Sequence, residues 1–275
     1  MSGVIMRAHD QCPGLTERTI GAARSASGKS SYEMLRAMAG PLSAKTLVDL
    51  ACGSGPLSEL IAQDLGENGR LIGIDLNLSE LQMARRRLSG LANASFIQAD
   101  ASATSLPPSS IDIVLCHMAF MLFNPPAPVV KELARILKSG GLFAAVVPAF
   151  REPSELFKAL MGSLLNAFKK ESPQELSSIQ TIPELKSESA LRGLFSPLNG
   201  FNDDIRIASV DVALRGSPAK LAAQVLPGFY SSHLLSPPAL ARVEAEWTSI
   251  LENDAQADGN AALPLPLSAF LVKRL

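Results

Sequence analysis

Two glycines, three acids and one histidine stand in this chain at spacings that could do chemistry. Gly53 and Gly55 break the run Leu47-Val48-Asp49-Leu50-Ala51-Cys52-Gly53-Ser54-Gly55-Pro56-Leu57, and glycine allows dihedrals that bring a backbone close to a ligand. Pro56 suits the first turn of a helix, and Leu57, Leu60, Ile61 and Leu65 recur on one helical face. The run therefore reads as buried parallel strand, tight turn and helix, with a small-ligand cradle at the positively polarised helix N-terminus. Asp75 ends a second apolar stretch, Leu71 to Asp75, about 20 residues beyond the turn, where nucleotide-binding turns place an acid on the ribose hydroxyls. Asp100 ends a third stretch that begins at Ala94, and Ile111 to Cys116 is a fourth. His117-Met118-Ala119-Phe120-Met121 follows it directly. An imidazole there could take a proton from a phenol or other acidic nucleophile; packing, or bonding to backbone, is the competing reading.

Two cofactor classes use such a turn. Dinucleotide binders want G-x-G-x-x-G, and here Ser58 stands in place of the third glycine. The run instead resembles motif I of class I S-adenosylmethionine-dependent methyltransferases, an acid followed by G-x-G-x-G. Asp49, Gly53 and Gly55 match it, while Ala51 replaces the first glycine, adding one methyl group that tightens the approach without closing the site. The resemblance implies the cofactor S-adenosyl-L-methionine, held by Ala51, Cys52 and the glycines, with Asp75 and Leu76 at the ribose. It places Asp100 and the Ala101 backbone N–H at the adenine edge, although an Asx turn would equally explain Asp100. It also implies that Tyr32 closes over the methionine end and that Cys116 offers its backbone carbonyl to the methionine amine. His117 becomes a candidate base, and Met118, Phe120 and Met121 a candidate acceptor floor.

Composition narrows the partners. The 275 residues are 47% hydrophobic with a formal charge of −1, enough for a substantial core and without the clustered Lys and Arg of a nucleic-acid footprint. Arg85-Arg86-Arg87 reads as a solvated helix face. Cys12, Cys52 and Cys116 are odd in number and widely spaced, forming neither a disulfide framework nor a C-x-x-C metal pair, so no metal is expected. The first residues lack the core of a signal peptide, and no apolar run reaches the ~18 residues of a membrane span. These features predict a cytoplasmic protein, monomer or homodimer, acting on a small-molecule acceptor.

The elements that position these residues follow in order. An N-terminal segment with little periodicity runs to about Ser31, and a helix begins at Tyr32; together they make a segment, 1–40, over the cofactor. Residues 41–150 form the cofactor-binding core. Within it Ser79-Glu80-Leu81-Gln82 reads as a capping box, and Asn124-Pro125-Pro126-Ala127 opens a helix. Its register and its lack of an aromatic fourth residue separate it from the N-P-P-Y motif of amino-group methyltransferases. Residues 151–203 form a helical cap in which Phe157, Leu160, Met161, Leu164, Leu165 and Phe168 share an apolar face ahead of the polar stretch Lys169 to Gln180. Phe157 and Met161 are its candidate acceptor wall. Residues 204–275 supply strands at Ile205 to Leu214 and Leu267 to Lys273, with an insert over Ser217 to Asp258. The expected fold is α/β, a Rossmann-like seven-stranded sheet of six parallel strands and a reversed seventh. A nicotinamide-dependent oxidoreductase is the rival enzyme, disfavoured by the missing glycine and the lack of a Tyr-x-x-x-Lys pair. A cofactor-binding protein of the same fold without transfer is the rival from another class.

Overall fold

A computed structural model describes residues 3–174, 185 and 187–275. Seven strands form one sheet: β1 (Thr46–Leu50), β2 (Arg70–Asp75), β3 (Ala94–Gln98), β4 (Ile111–His117), β5 (Leu137–Pro148), β6 (Arg206–Gly216) and β7 (Ala261–Lys273). Their spatial order is β3-β2-β1-β4-β5-β7-β6. The first five are parallel, and β7 runs antiparallel to both β5 and β6. Six strands therefore share a direction and the seventh is reversed, as the sequence predicted.

Side-chain alternation splits the core into two layers. Leu47, Leu115, Ala144 and Val146 face one layer, built from α3 (Ser31–Met38), α4 (Pro56–Asp64), α7 (Glu155–Glu171), α9 (Pro218–Val225) and α10 (Pro237–Asn253). Val48, Val114, Cys116, Phe143 and Val147 face the other, which includes α6 (Ala127–Ile136) and α8 (Glu188–Leu194). Phe120 belongs to this second layer. It is fully buried with ring centroids 5.5 to 5.7 Å from Phe123, Phe143, Phe195 and Phe270, so it packs the core and cannot form an acceptor floor. Leu160, Leu164 and Phe168 are the core face of α7. The helix thus packs as part of a layer, and the polar stretch toward Gln180 passes outside the described residues after 174. Among the described residues no helix is long and apolar enough to cross a membrane.

Three local features depart from expectation. The segment before Ser31 carries two helices, α1 (Gly3–Gln11) and α2 (Leu15–Ile20), too short to declare a period. The cap of α5 (Leu78–Arg87) is Asn77, whose side chain accepts from the Glu80 N–H; Ser79 lies inside the first turn. Strand β7 begins six residues early despite Pro264 and Pro266. The Pro266 carbonyl accepts from the Ala149 N–H on the β5 edge, where strand pairing ends at Leu267, so the prolines fall where β7 has lost its β5 partner and is paired only with β6.

The turn between β1 and α4 is governed by two different constraints. Ala51 sits at φ 55° and Gly53 at φ 53°, left-handed conformations that cost an L-residue roughly 1–2 kcal/mol. Gly55, at φ 86°, abuts α5: a Cβ there would lie 3.0 Å from Ala84 Cβ. It is a packing glycine that lets α4 start against α5. Gly55→Ala is expected to lower stability by about 2 kcal/mol through strain and overlap, whereas Ala51→Gly should raise it by about 0.5 kcal/mol, strain relief offset by unfolded-chain entropy. Urea titration of the two variants checks the opposite signs.

Candidate functional site

The carboxyl ends of β1, β2 and β4 open onto two adjoining clefts that share Ala51, Asp75 and Leu122. This is the region of the sheet where chain order reverses between β1 and β4, the place where open α/β sheets bind ligands.

The first cleft, about 640 Å³, is lined by Tyr32, Asp49, Ala51, Cys52, Gly53, Asp75, His117 and Met118. Asp75 accepts from the Gly53 N–H and the Asn77 N–H, both at 2.8 Å. One carboxylate thereby ties the glycine turn to the start of α5. Burial raises its pKa, opposed by these two donors. Asp49 is buried and accepts from Ser58 Oγ at 2.6 Å; desolvation pushes it up to about 7. Ser58, the residue that breaks the dinucleotide pattern, is therefore the partner of the motif's acid.

The second cleft, about 690 Å³, is lined by Leu76, Ala99, Asp100, Ala101, Phe123 and Val129, among others. Asp100 accepts from the Ser102 N–H and hydroxyl, which lower its pKa. The Asx turn is thus present, and the residue lines the cleft as well. Cys116 lines neither cleft. It falls on the opposite sheet face from His117, and burial pushes its thiol far up.

His117 lies on the Leu115 side of β4, facing α3. Its ring stacks on Tyr32 at 3.7 Å between centroids, and Nε2 is 2.9 Å from Ser31 Oγ. Burial lowers its pKa to about 3, and Nδ1 is buried with no partner among the described residues. With Nε2 beside Ser31 and the ring stacked on Tyr32, the contacts of His117 are those of a packed side chain.

Sequence reasoning missed the groups that the N-terminal segment adds. Met6, His9, Gly14, Thr16 and Glu17 all line the first cleft. Glu80, on α5, is buried and accepts from the Gly14 N–H with both oxygens at 2.9 Å. His9 Nδ1 is 2.7 Å from Glu80 Oε1, and His9 Nε2 is 3.1 Å from Tyr230 Oη. His117 is thus not the only histidine at the site. Arg87 donates to both Glu17 oxygens at 2.8 Å, so this arginine is tied inward. The usable signal was a glutamate at an inward position of an amphipathic helix, which needs a donor from elsewhere.

A third, apolar chamber of about 1060 Å³ shares Thr16, Met118 and Tyr230 with the first cleft. Met118, Met121, Phe157, Phe229 and Leu267 are among its walls. Met161 packs half-buried on the core and is absent from this wall.

Residues 42–190 match the family model described as a methyltransferase domain. A demethylmenaquinone methyltransferase of Lactococcus lactis is 29% identical over 53% of this chain and 65% of its own length. A ubiquinone/menaquinone biosynthesis C-methyltransferase of Salmonella arizonae is 30% identical over 35% of this chain and 40% of its own length. The matches thus span less than two thirds of these relatives. Among solved structures, Haemonchus contortus phosphoethanolamine N-methyltransferase 2 superposes with a TM-score of 0.56 at 18% identity, over 88% of this chain and 52% of that one. Geranyl diphosphate C-methyltransferase of Streptomyces coelicolor does so at 0.53 and 16%, over 89% and 78%. At such identities these two establish the shared fold.

The His117 environment has a consequence for stability. Between pH 6.5 and about 3 the unfolded chain binds a proton that the folded imidazole refuses, so stability contributed here is lost as pH falls through that window. Relative to His117→Gln, the wild type should lose up to about 1.4 kcal/mol per pH unit there. Parallel denaturant titrations would check this; a constant difference between the proteins would mean that His117 takes a proton as readily folded as unfolded.

Proposed function

This chain belongs to the methyltransferase-domain family, and from that premise we propose that it is an S-adenosylmethionine-dependent methyltransferase whose acceptor is a small, largely apolar metabolite bound in the chamber beside Met118. The observation that carries the reading is the chamber itself, walled by Met, Phe, Leu and Pro side chains and bordering the first cleft at three residues. Apolar walls with few polar groups are what a hydrophobic ligand requires. The two quinone-pathway relatives and the geranyl diphosphate enzyme are named for substrates with apolar bodies, which supports the same class.

The chain's own groups fit the cofactor. Asp49, Asp75, Glu80 and Glu17 bring four carboxylates to the first cleft against His9 and the already paired Arg87, an excess of acid that suits a ligand carrying ammonium and sulfonium charge. Asp75 would hold the ribose hydroxyls. Ala51, Cys52 and Gly53 would lie against the methionine portion, and Tyr32 and His117 would wall it. Leu76, Ala99, Ala101 and Val129 would sandwich the adenine, with Asp100 at its edge. The cofactor supplies an activated methyl group. What remains for the protein is alignment and exclusion of water, and α1 and α2 provide cover while Met118 and Tyr230 mark the passage to the acceptor.

Asp75→Ala is expected to weaken S-adenosylhomocysteine binding by about 2 kcal/mol, roughly 30-fold, the scale of hydrogen bonds to a charged group. Calorimetry reads this directly, and unchanged affinity would remove Asp75 from the site. Met121→Trp should fill part of the chamber, raising acceptor KM several-fold while leaving cofactor affinity within about twofold, since overpacking is felt locally. If acceptor kinetics stay unchanged, the acceptor lies elsewhere.

A further inference from the structure

Glu80, His9 and Tyr230 come from α5, from α1 and from a short 3-10 turn (Tyr230–Leu234), 71 and 221 residues apart along the chain. The fold nevertheless joins them in one hydrogen-bonded line, and its outer end, Tyr230, borders both the cofactor cleft and the apolar chamber. We propose that this line is a proton relay, with Tyr230 and His9 removing the proton from a phenolic or enolic hydroxyl of the acceptor.

The roles follow from donor and acceptor chemistry. The Glu80 carboxylate can only accept, so the His9 Nδ1 at 2.7 Å carries the hydrogen and Nε2 is left bare. Bare Nε2, 3.1 Å from Tyr230 Oη, accepts the phenol's hydrogen. Tyr230 Oη keeps acceptor capacity of its own, and the residue lines the chamber. Glu80 is fixed as an orienting group because both of its oxygens also accept from the Gly14 N–H. This is the arrangement of a base oriented by a carboxylate.

The balance closes without any further reactant. The acceptor O–H bond breaks and its proton passes to Tyr230 Oη, while the phenolic proton of Tyr230 passes to His9 Nε2. The acceptor oxygen bonds to the methyl carbon as the carbon–sulfur bond breaks, and that electron pair remains on sulfur. The imidazolium on His9 is paired with Glu80 and returns its proton to water when product leaves. An amine acceptor attacks through a lone pair it already has, so a relay of this kind serves a hydroxyl. The proposal rests on the methyl-transfer reading of the cleft. Its competitor is a latch, in which the same bonds only fasten α1 over the cofactor.

Tyr230→Phe keeps the ring and removes the hydroxyl; His9→Gln is the second variant. Wild type and variants are given a phenol series from 4-methylphenol to the more acidic 4-nitrophenol. For 4-methylphenol the relay predicts a fall in kcat on the order of 10²-fold in Tyr230→Phe, with S-adenosylhomocysteine affinity within about twofold, and a loss that shrinks toward 4-nitrophenol, which ionises unaided. A second readout needs no turnover: with the unreactive analogue sinefungin present, 4-nitrophenol bound to wild type should show a stronger phenolate absorption band than when bound to either variant. Equal losses along the series, an unchanged band, or a weakened homocysteine affinity at normal kcat would overturn the relay in favour of the latch. A wild type that binds S-adenosylhomocysteine but methylates none of the phenols would overturn the hydroxyl assignment. Absence of S-adenosylhomocysteine binding would instead overturn the methyl-transfer reading.

Discussion

Crowding of negative charge at the ends of β1 and β2 is the constraint on which the site depends. Asp49, Asp75, Glu80 and Glu17 line one cleft, and like charges in a partly dry space are costly unless each finds donors. Each does: Ser58 for Asp49, two backbone N–H groups for Asp75, the Gly14 N–H and His9 for Glu80, and Arg87 with Ser54 for Glu17. These donors come from α4, the glycine turn, α5 and the N-terminal segment, so satisfying the acids also fixes how those elements meet. Even so, burial pushes the Asp49 carboxyl up to about 7, because the one Ser58 hydroxyl does not replace the water it has lost.

The same need explains why residues 3–20 contribute to the first cleft. α1 and α2 make little core of their own, burying Val4, Ile5, Ala8 and Leu15. Their polar ties run to Glu80 through His9 and Gly14, to Ser54 through Glu17, and to Asn77 through Asp10. A segment held by such bonds and little apolar area can open at modest cost.

How far the sequence revealed this arrangement depended on the range of the interactions. Strand ends marked by Asp49, Asp75 and Asp100, and the glycine turn between them, are local patterns. They lead to residues that line the two clefts, and the β1–β4 switch followed from strand order. Phe120 was misplaced because a residue just after a strand has no period to assign its face; only the packed rings of Phe143, Phe195 and Phe270 decide it. Met161 was misplaced for a related reason, since helical spacing shows which residues share a face but leaves open which edge of that face meets a cavity. His9 and Tyr230 gave no signal at all, because a lone histidine and a lone tyrosine acquire meaning only through a partner more than 70 residues away.

Ala51 shows how the two kinds of constraint divide the turn. Two positions that a motif would both write as glycine are held for different reasons: Gly55 by the Ala84 side chain it would strike, Ala51 by dihedrals alone. A steric wall forbids any side chain, whereas a left-handed φ only taxes one, so the second position can carry a methyl group at a cost of roughly 1–2 kcal/mol. That methyl group lies on the border shared by the two clefts. It narrows the space between them. The departure from the glycine pattern therefore falls at a position where the cost is dihedral strain and not a steric wall.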